Sequence, residues 1–414
     1  MIVKQTLQIY PNKKQINKLY EILELHYNLY NIALEQRIEE YEKNKTSISY
    51  FDQSKELTKL RHTIQEYRNL NCDSCTLTLQ RVDRAFKSFF RRLKNKEIPG
   101  FPRFKTKNRF HSFEFRHGSG IAIKATRTHK LKSNELHISD IGKIKYRGNK
   151  QYQHLTPKLC TIIKKQNKWY VVCTYDLQQA QIQRKSGNKA FGLDWGVSTF
   201  TTLVSDNNET IIYENPKILQ KSQQQIKKLQ RDVSRKKKNS NNRKREQRKL
   251  TNKHAKVARQ RKAFLHKTSS EIISKSALLA VEKLDIKPMT KKGKYQAKKT
   301  LNRNIRDTSP NAFHNMLKYK AEEAGIWLIE IDTRKYKPTQ TCSECFNVEK
   351  KSLDQRIHKC KKCGYTIDRD INAARTTLKV AVSNYMSIEE QNSLKRAMCG
   401  NTDSCGINEA LSNC

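Results

Sequence analysis

The chain has 414 residues, with 84 Lys and Arg against 39 Asp and Glu, and a formal net charge of +45. Hydrophobic residues make up 36%, enough to fill ordinary cores in two or three domains. No apolar run approaches the roughly 20 residues of a membrane span, and polar Gln5, Thr6 and Gln8 come too early for a signal peptide. Such a charge predicts a cytoplasmic, nucleoid-associated protein whose main partner is a large polyanion, with no membrane partner.

Residues 1–10 alternate, with Val3, Leu7 and Ile9 on one face, and read as a strand. A helix follows from Lys13 to Lys43, its stripe running through Ile16, Leu19, Leu23, Tyr27, Tyr30, Leu34 and Ile38. A second helix carries Leu57, Leu60, Ile64 and Tyr67, and a third carries Leu79, Val82, Phe86, Phe90 and Leu93. Pro99-Gly100-Phe101-Pro102 breaks the pattern. Strands occupy Phe113 to Tyr175; the clearest pair, Leu159–Lys164 and Trp169–Tyr175, is joined by a polar turn. Residues 1–180 therefore read as an N-terminal β-barrel with a helical insert over about 13–95. A polar linker is expected over 181–189. A second α/β domain, 190–385, opens at Phe191-Gly192-Leu193-Asp194-Trp195-Gly196. It holds a helical hairpin (215–275), buried strands at 278–284 and 326–332, an inserted cysteine knuckle (338–367) and a last helix from Arg369. After Glu390 no period is sustained, so 386–414 reads as a flexible tail.

Eleven cysteines without a secretion signal read as reduced thiols, and Cys-x-x-Cys spacing then points to metal. Cys342, Cys345, Cys360 and Cys363 form two such pairs separated by 14 residues. Two knuckles make a closed four-thiolate site, which fits one structural Zn²⁺; iron uses the same ligands. His358 reads as a neighbour of this site rather than a ligand, and Cys72 and Cys75 as ordinary thiols.

In so basic a chain, carboxylates on apolar strands stand out. Asp194 sits at a strand start, Glu282 ends the apolar run Leu278–Val281, and Asp370 begins a helix. Three acids from distant segments can converge in an RNase H-like sheet and hold two Mg²⁺ ions for phosphodiester hydrolysis. Singly, each has an ordinary alternative: a turn acid, a partner for a neighbouring Lys, or a helix N-terminal residue.

The motifs, in order, carry a resemblance. They are Ala85-Phe86-x2-Phe89-Phe90, Gly100-Phe101-Pro102-Arg103-Phe104-Lys105, Gly192-Leu193-Asp194-Trp195-Gly196, Phe264-Leu265-His266-Lys267, Val281-Glu282-Lys283-Leu284, Leu317-x-Tyr319-Lys320-Ala321, the two cysteine pairs, and Asp368-Arg369-Asp370-x-Asn372-Ala373-Ala374. As an ordered set over about 1–385 they resemble TnpB, the transposon-encoded RNA-guided nuclease family related to type V CRISPR effectors. The resemblance implies a RuvC-like nuclease with Asp194, Glu282 and Asp370 as metal-binding catalytic acids. Asp368 and Asp285 are the neighbours most easily confused with them. It also implies a guide RNA from the element's own end and double-stranded target DNA as partners. Two departures touch the knuckle: Phe346 where the family often has Gly, and Lys337-Pro338-Thr339-Gln340 in place of a serine-rich approach.

From Lys221 to Lys262, eighteen Lys and Arg face two acids, a net +16. Ile226, Leu229, Val233, Leu250, Val257 and Phe264 keep helical spacing around Arg235-Lys236-Lys237-Lys238, with Arg243 and Arg245 just beyond. A charge run is usually a solvated face; beside a nuclease fold it reads as a phosphate-binding hairpin. Phe86, Phe89 and Phe90 read as core. Phe101 and Phe104, beside Arg103 and Lys105, read equally as base-stacking or structural. Two other functions fit less well: a nuclease-inactive RNA-guided DNA-binding repressor, which should have lost an acid, and an accessory or strand-transferring transposition protein, for which no tyrosine-nucleophile motif is evident.

Overall fold

Strand β1 (Ile2–Tyr10) buries Val3, Leu7 and Ile9 on one face. Asn12 then caps α1 (Lys13–Asn44): its side chain accepts from the Gln15 N–H, and Gln15 Oε1 accepts from the Asn12 N–H. α2 (Tyr50–Thr63), α3 (Gln65–Arg68) and α4 (Cys72–Lys94) follow. The single helix expected through Ile64 and Tyr67 is broken, because Ile64 is extended at φ −112°; the break lets Tyr67 join the core from the short α3. Buried Arg37 ties the helices together, donating to Gln53 Oε1 at 2.8 Å and to Asp83 at 3.3 Å.

The computed structural model describes residues 2–123, 132, 134–148, 152, 154–166, 168–177, 187–291, 295–352 and 355–399. The chain divides into two units, Met1–Gln181 and Ile182–Cys414. In the first, β2 (Ser112–Arg116), β3 (Ile121–Ala122), β4 (Glu135–Ile138), β5 (Gly142–Arg147), β6 (Leu159–Lys165) and β7 (Lys168–Asp176) join β1 in one antiparallel sheet. Its order is β2-β6-β7-β1-β5-β4-β3. Lys165 stands opposite Lys168 across the expected hairpin. The sheet is curled; among the described residues one bridge, His117 to Ile121, connects its two edges in place of a closing ladder. Phe113, Ile162, Val171 and Leu7 from the sheet pack with Leu19, Leu34, Leu79 and Val82 from the helices.

The second unit begins with β8 (Lys189–Trp195), β9 (Thr199–Ser205) and β10 (Thr210–Glu214). Then come α5 (Ile218–Arg235), α6 (Asn241–Lys275), β11 (Ser276–Glu282), α7 (Ile286–Met289), α8 (Gln296–Thr308), α9 (Pro310–Ala324) and β12 (Trp327–Ile331). α10 (Thr333–Tyr336), β13 (Ile357–Lys359), β14 (Thr366–Asp368), α11 (Arg369–Tyr385) and α12 (Ile388–Cys399) complete it. The central sheet runs β10-β9-β8-β11-β12, with β9 antiparallel to β8 and β10, and β11 parallel to both β8 and β12. Both faces are covered, which is why β8 and β11 read as continuous apolar runs rather than alternating ones. Leu278 and Ala280 meet Leu378 and Ala381 of α11 on one face. Leu279 and Val281 meet Leu265 and Ile272 of α6 and Phe313 and Leu317 of α9 on the other.

Two boundaries move. The expected linker lies outside the described residues up to 186, and strand β8 has begun at Lys189. The start of the expected tail is a helix: Leu394 and Met398 of α12 are buried with Val382 and Met386. Two apolar positions four apart are too short a pattern to register as a period; 400–414 lie outside the described residues. No helix among the described residues is long and apolar enough to cross a membrane.

Candidate active site and cysteine knuckle

Parallel pairing sets Leu193 of β8 beside Val281 of β11. The next residues are Asp194 and Glu282, so both carboxylates emerge at the C-terminal ends of neighbouring parallel strands, where open α/β sheets place their sites. Asp194 thus ends a strand rather than starting one, because β8 begins at Lys189. Asp370 arrives from the first turn of α11.

Gly192 sets how closely α11 can lie on the sheet. A Cβ there would fall 1.9 Å from the Ala374 carbonyl oxygen, and Ala373 and Ala374 are themselves fully buried. The glycine beside Asp194 therefore serves close packing, not chain flexibility. Gly192→Ala should lower the stability of this unit by about 1–3 kcal/mol through overpacking, read as a shift in denaturant midpoint; an unchanged midpoint would refute the tight fit.

Asp194 is 6% exposed. Burial, and then the charges of Glu282 and Asp370, push its carboxyl well above the usual range; Arg369 opposes them. Burial pushes Glu282 up to about 7, and its Oε1 is buried without a hydrogen-bond partner. Mutually repelling carboxylates with an orphaned oxygen are what a hard divalent cation relieves, and an all-oxygen donor set suits Mg²⁺. Among the described residues, the group of ligand side chains drawn together in this way is that of the four cysteines, whose ligand atoms lie within 4.8 Å of one another.

The two rival acids are occupied elsewhere. Asp368 caps α11, its Oδ1 accepting from the N–H groups of Asp370 at 2.8 Å and Ile371 at 3.2 Å. Asp285 is exposed and pairs with Arg334 at 3.1 Å. Arg356 escapes sequence reading: its guanidinium lies 4.0 Å from Asp370 and donates to Ser198 Oγ at 3.3 Å. A lone arginine among many has no pattern; only the chain path just before β13 brings it to the acids.

The four cysteines come together. Sγ···Sγ distances are 3.7 Å for Cys342–Cys363 and 3.5 Å for Cys345–Cys360. A tetrahedron of Zn–S bonds near 2.3 Å has edges of about 3.8 Å, so the group has the geometry that holds zinc. Each knuckle closes on a left-handed residue, Phe346 at φ 54° and Gly364 at φ 76°, whose N–H donates back to the first cysteine's carbonyl at 3.0 Å. Phe346 thus stands where glycine is conformationally natural, and it packs beside Ile331 and Met386. Backbone N–H groups of Cys363 and Lys362 hold the Cys360 thiol down to about 6. His358 is buried and contacts the Lys351 amine. Cys72 and Cys75 lie on α4, in the other unit.

Arg235, Lys236, Lys237 and Lys238 are exposed at the tip of the α5–α6 hairpin, with Arg245 exposed on α6. Arg243 is half-buried and donates to the Lys236 carbonyl at 3.0 Å, shaping the turn. In the first unit, Arg103 and Lys105 are exposed, and Lys105 is anchored by two backbone bonds to Asn31, at 2.9 and 3.0 Å. The core reading fails for Phe90, which is 58% exposed; it stacks on Phe86 and meets Phe89 edge-on in a cluster with Phe101 at the end of α4. Helical spacing alone cannot tell the last turns of an overhanging helix from its packed ones.

Three family profiles match in order: a helix-turn-helix domain of the OrfB family over 3–46, the OrfB "Probable transposase" over 171–293, and the Cas12f1-like TNB domain over 311–377. The first description names a fold that the chain does not adopt there, since 2–44 is a strand followed by one long helix. The chain is 26% identical over 362 residues to the "Putative RNA-guided DNA endonuclease InsQ" of Escherichia coli K12, covering 84% of this chain and 85% of that one. It is 50% identical over 58 residues (14% of this chain and 13% of the other) to the CRISPR-associated endodeoxyribonuclease Cas12f1 of Sulfoacidibacillus thermotolerans. Its fold is similar to the protein in a Cas12f1–sgRNA–target DNA complex, with a TM-score of 0.56 and 13% identity over 88% of this chain and 83% of the other. With its three profile matches in order along one sequence, the chain is similar to the OrfB transposase family and to the TnpB-like proteins.

Proposed function

We propose that this protein is an RNA-guided DNA endonuclease with a RuvC-like active site. The observation that carries the reading is that Asp194, Glu282 and Asp370, from β8, β11 and α11, come close enough for the charges of the other two to act on buried Asp194. The activities named for InsQ and Cas12f1 support it, as does a central sheet in which β11 runs parallel to β8 and β12. Mg²⁺ ions held there would supply an activated water and neutralise the leaving oxygen in a two-metal hydrolysis. The protein's own part is placement. Asp194 and Glu282 are fixed by strand register, and Asp370 by a capped helix turn. Arg356 adds a positive charge beside Asp370 for an incoming phosphate. The four-thiolate knuckle takes one structural zinc.

Target choice would rest on guide-RNA pairing, the protein reading only a short duplex motif. The first unit grips RNA and that motif, with the exposed Phe90–Phe101 cluster and Arg103 available for stacking and phosphate binding. The test is to purify the protein from its native locus, sequence the co-purifying RNA, and ask whether the complex cuts DNA matching that RNA. Absence of a specific RNA, or of Mg²⁺-dependent cutting, would overturn the reading.

The hairpin adds a second test. Replacing Arg235, Lys236, Lys237 and Lys238 by Gln removes four exposed charges, while buried Ile226 and Val257 keep the helices paired. Every side chain that had neutralised a phosphate should flatten the log–log salt slope of binding by about 0.7–0.9 when it is replaced, so four should change it by roughly 3. The weakening should be alike for matched and mismatched targets. An unchanged slope for both RNA and DNA would make the run a solvated face.

A further inference from the structure

α11 presents two working faces. Asp370, Ala373 and Ala374 turn toward the sheet, the last close enough to require Gly192. Asn372 is two residues beyond Asp370, which on a helix is about 200° of rotation, so it faces away from the acids. It is fully buried and uses both ends of its amide. Oδ1 accepts from the Ser343 N–H at 2.9 Å, and Nδ2 donates to the Thr341 carbonyl at 2.7 Å. Those two residues flank Cys342, one of the four thiolates. The same face continues along the helix: Thr376 Oγ1 donates to the Thr341 carbonyl at 3.3 Å. Glu344 sits 3.5 Å from Lys379 and 3.9 Å from Arg375. Residues 372–379 of α11, about two turns, thus hold residues 341–344 of the knuckle.

We propose that Asn372 is a positioning residue: it transmits the geometry of the cysteine knuckle into the first turn of α11 and so fixes Asp370 against Asp194 and Glu282. The inference rests on the nuclease reading for its consequence, though not for its geometry. The physical basis is that a two-ended buried amide admits one register. Sliding or rotating the helix strands a donor and an acceptor in a dry interior, which costs more than an exposed ion pair would. The Ala373–Ala374 face, being small and apolar, resists such sliding less. Asn372 itself touches neither the acids nor the sulfurs.

The test uses the zinc-loaded full chain and compares Asn372→Ala, Asn372→Asp and Glu344→Ala with the parent. The Asp variant keeps the acceptor for Ser343 but turns an oxygen toward the Thr341 carbonyl. Mn²⁺ alone is the probe, followed by calorimetry; the thiolate site retains its zinc because soft ligands disfavour manganese. Both Asn372 variants should weaken Mn²⁺ binding about tenfold while zinc content stays at one per chain and RNA affinity is unchanged. DNA cleavage should fall at low Mn²⁺ and recover as Mn²⁺ is raised, a split that general destabilisation does not give. Glu344→Ala, on the exposed end of the same face, should shift binding about twofold in the same direction; it also serves if the Asn372 variants do not fold. Unchanged Mn²⁺ affinity in the folded variants, or zinc lost together with it, overturns the proposal. If the parent binds Mn²⁺ but never cuts DNA, the nuclease reading fails while the calorimetry still decides the role of Asn372.

Discussion

Asp194→Ala should lower Mg²⁺-dependent DNA cleavage by about a thousandfold, the scale of removing a group that stabilises transition-state charge in a closed site. RNA and target binding should be largely unchanged, because the lost carboxylate holds metal and not phosphate. Stability separates this from structural damage. In the metal-free protein Asp194 is a buried acid facing two others, so its removal relieves repulsion and the melting temperature should hold or rise. Added Mg²⁺ should then stabilise the parent and not the variant. The pH dependence has a definite sign. Glu282 goes from 4.5 when exposed to about 7 in the folded protein. The folded state therefore holds the extra proton between those values, and metal-free stability falls as pH rises through that window. Metal competes with that proton, so Mg²⁺ should stabilise more at pH 8 than at pH 6. Asp368→Ala, losing only a helix cap, should cost about 1 kcal/mol and leave most of the activity. Near-normal cutting by Asp194→Ala, or greater loss from Asp368→Ala than from Asp370→Ala, would reverse the assignment.

Much of this site is readable in one dimension because its residues are outliers. Glu282 is a charge ending an apolar run, Asp194 is a charge between Leu193 and Trp195, and the cysteine pairs at 342–345 and 360–363 lie close enough in sequence to share a metal, whereas Cys72 and Cys75 on α4 have no second pair beside them. The α5–α6 hairpin is readable because its apolar positions keep helical steps through a run of lysines. What stays hidden depends on which side chains meet across long separations. Asn372 looks like one polar residue in a helix until residues 341–344 come back against it. Gly192 looks flexible until the Ala374 carbonyl is seen above it. Arg356 and the buried Leu394 and Met398 of α12 carry no sustained period, and the break at Ile64 falls inside a run whose apolar spacing continues through it. Sheet closure is equally non-local: alternation gives strands and their faces, but the order β2-β6-β7-β1-β5-β4-β3 depends on pairings more than 100 residues apart, such as Ile9 with Tyr146.

Cys360→Ser should empty the knuckle. Backbone N–H groups hold the Cys360 thiol below the usual thiol range, which favours the thiolate that zinc needs. A serine hydroxyl stays protonated there and leaves three sulfurs around an incomplete site. Structural zinc sites in small domains bind with an apparent free energy on the order of 10–16 kcal/mol, and that energy is folding energy. Beyond the contacts of 341–346 with α11 and the core, the segment's own strands add little: β13 and β14 are three residues each and, among the described residues, pair with one another. Elemental analysis should find one zinc per chain in the parent and almost none in the variant. Hydrogen exchange should quicken over 338–367 and at the start of α11, while β8, β9 and β11 stay protected by their own packed faces. Because Ser343 and Thr341 are the partners of Asn372, cleavage should fall too, although every acid is in place. Zinc retained by Cys360→Ser, or a parent purified without zinc and fully protected over 338–367, would mean that no metal is needed and that hydrogen bonds alone hold the knuckle.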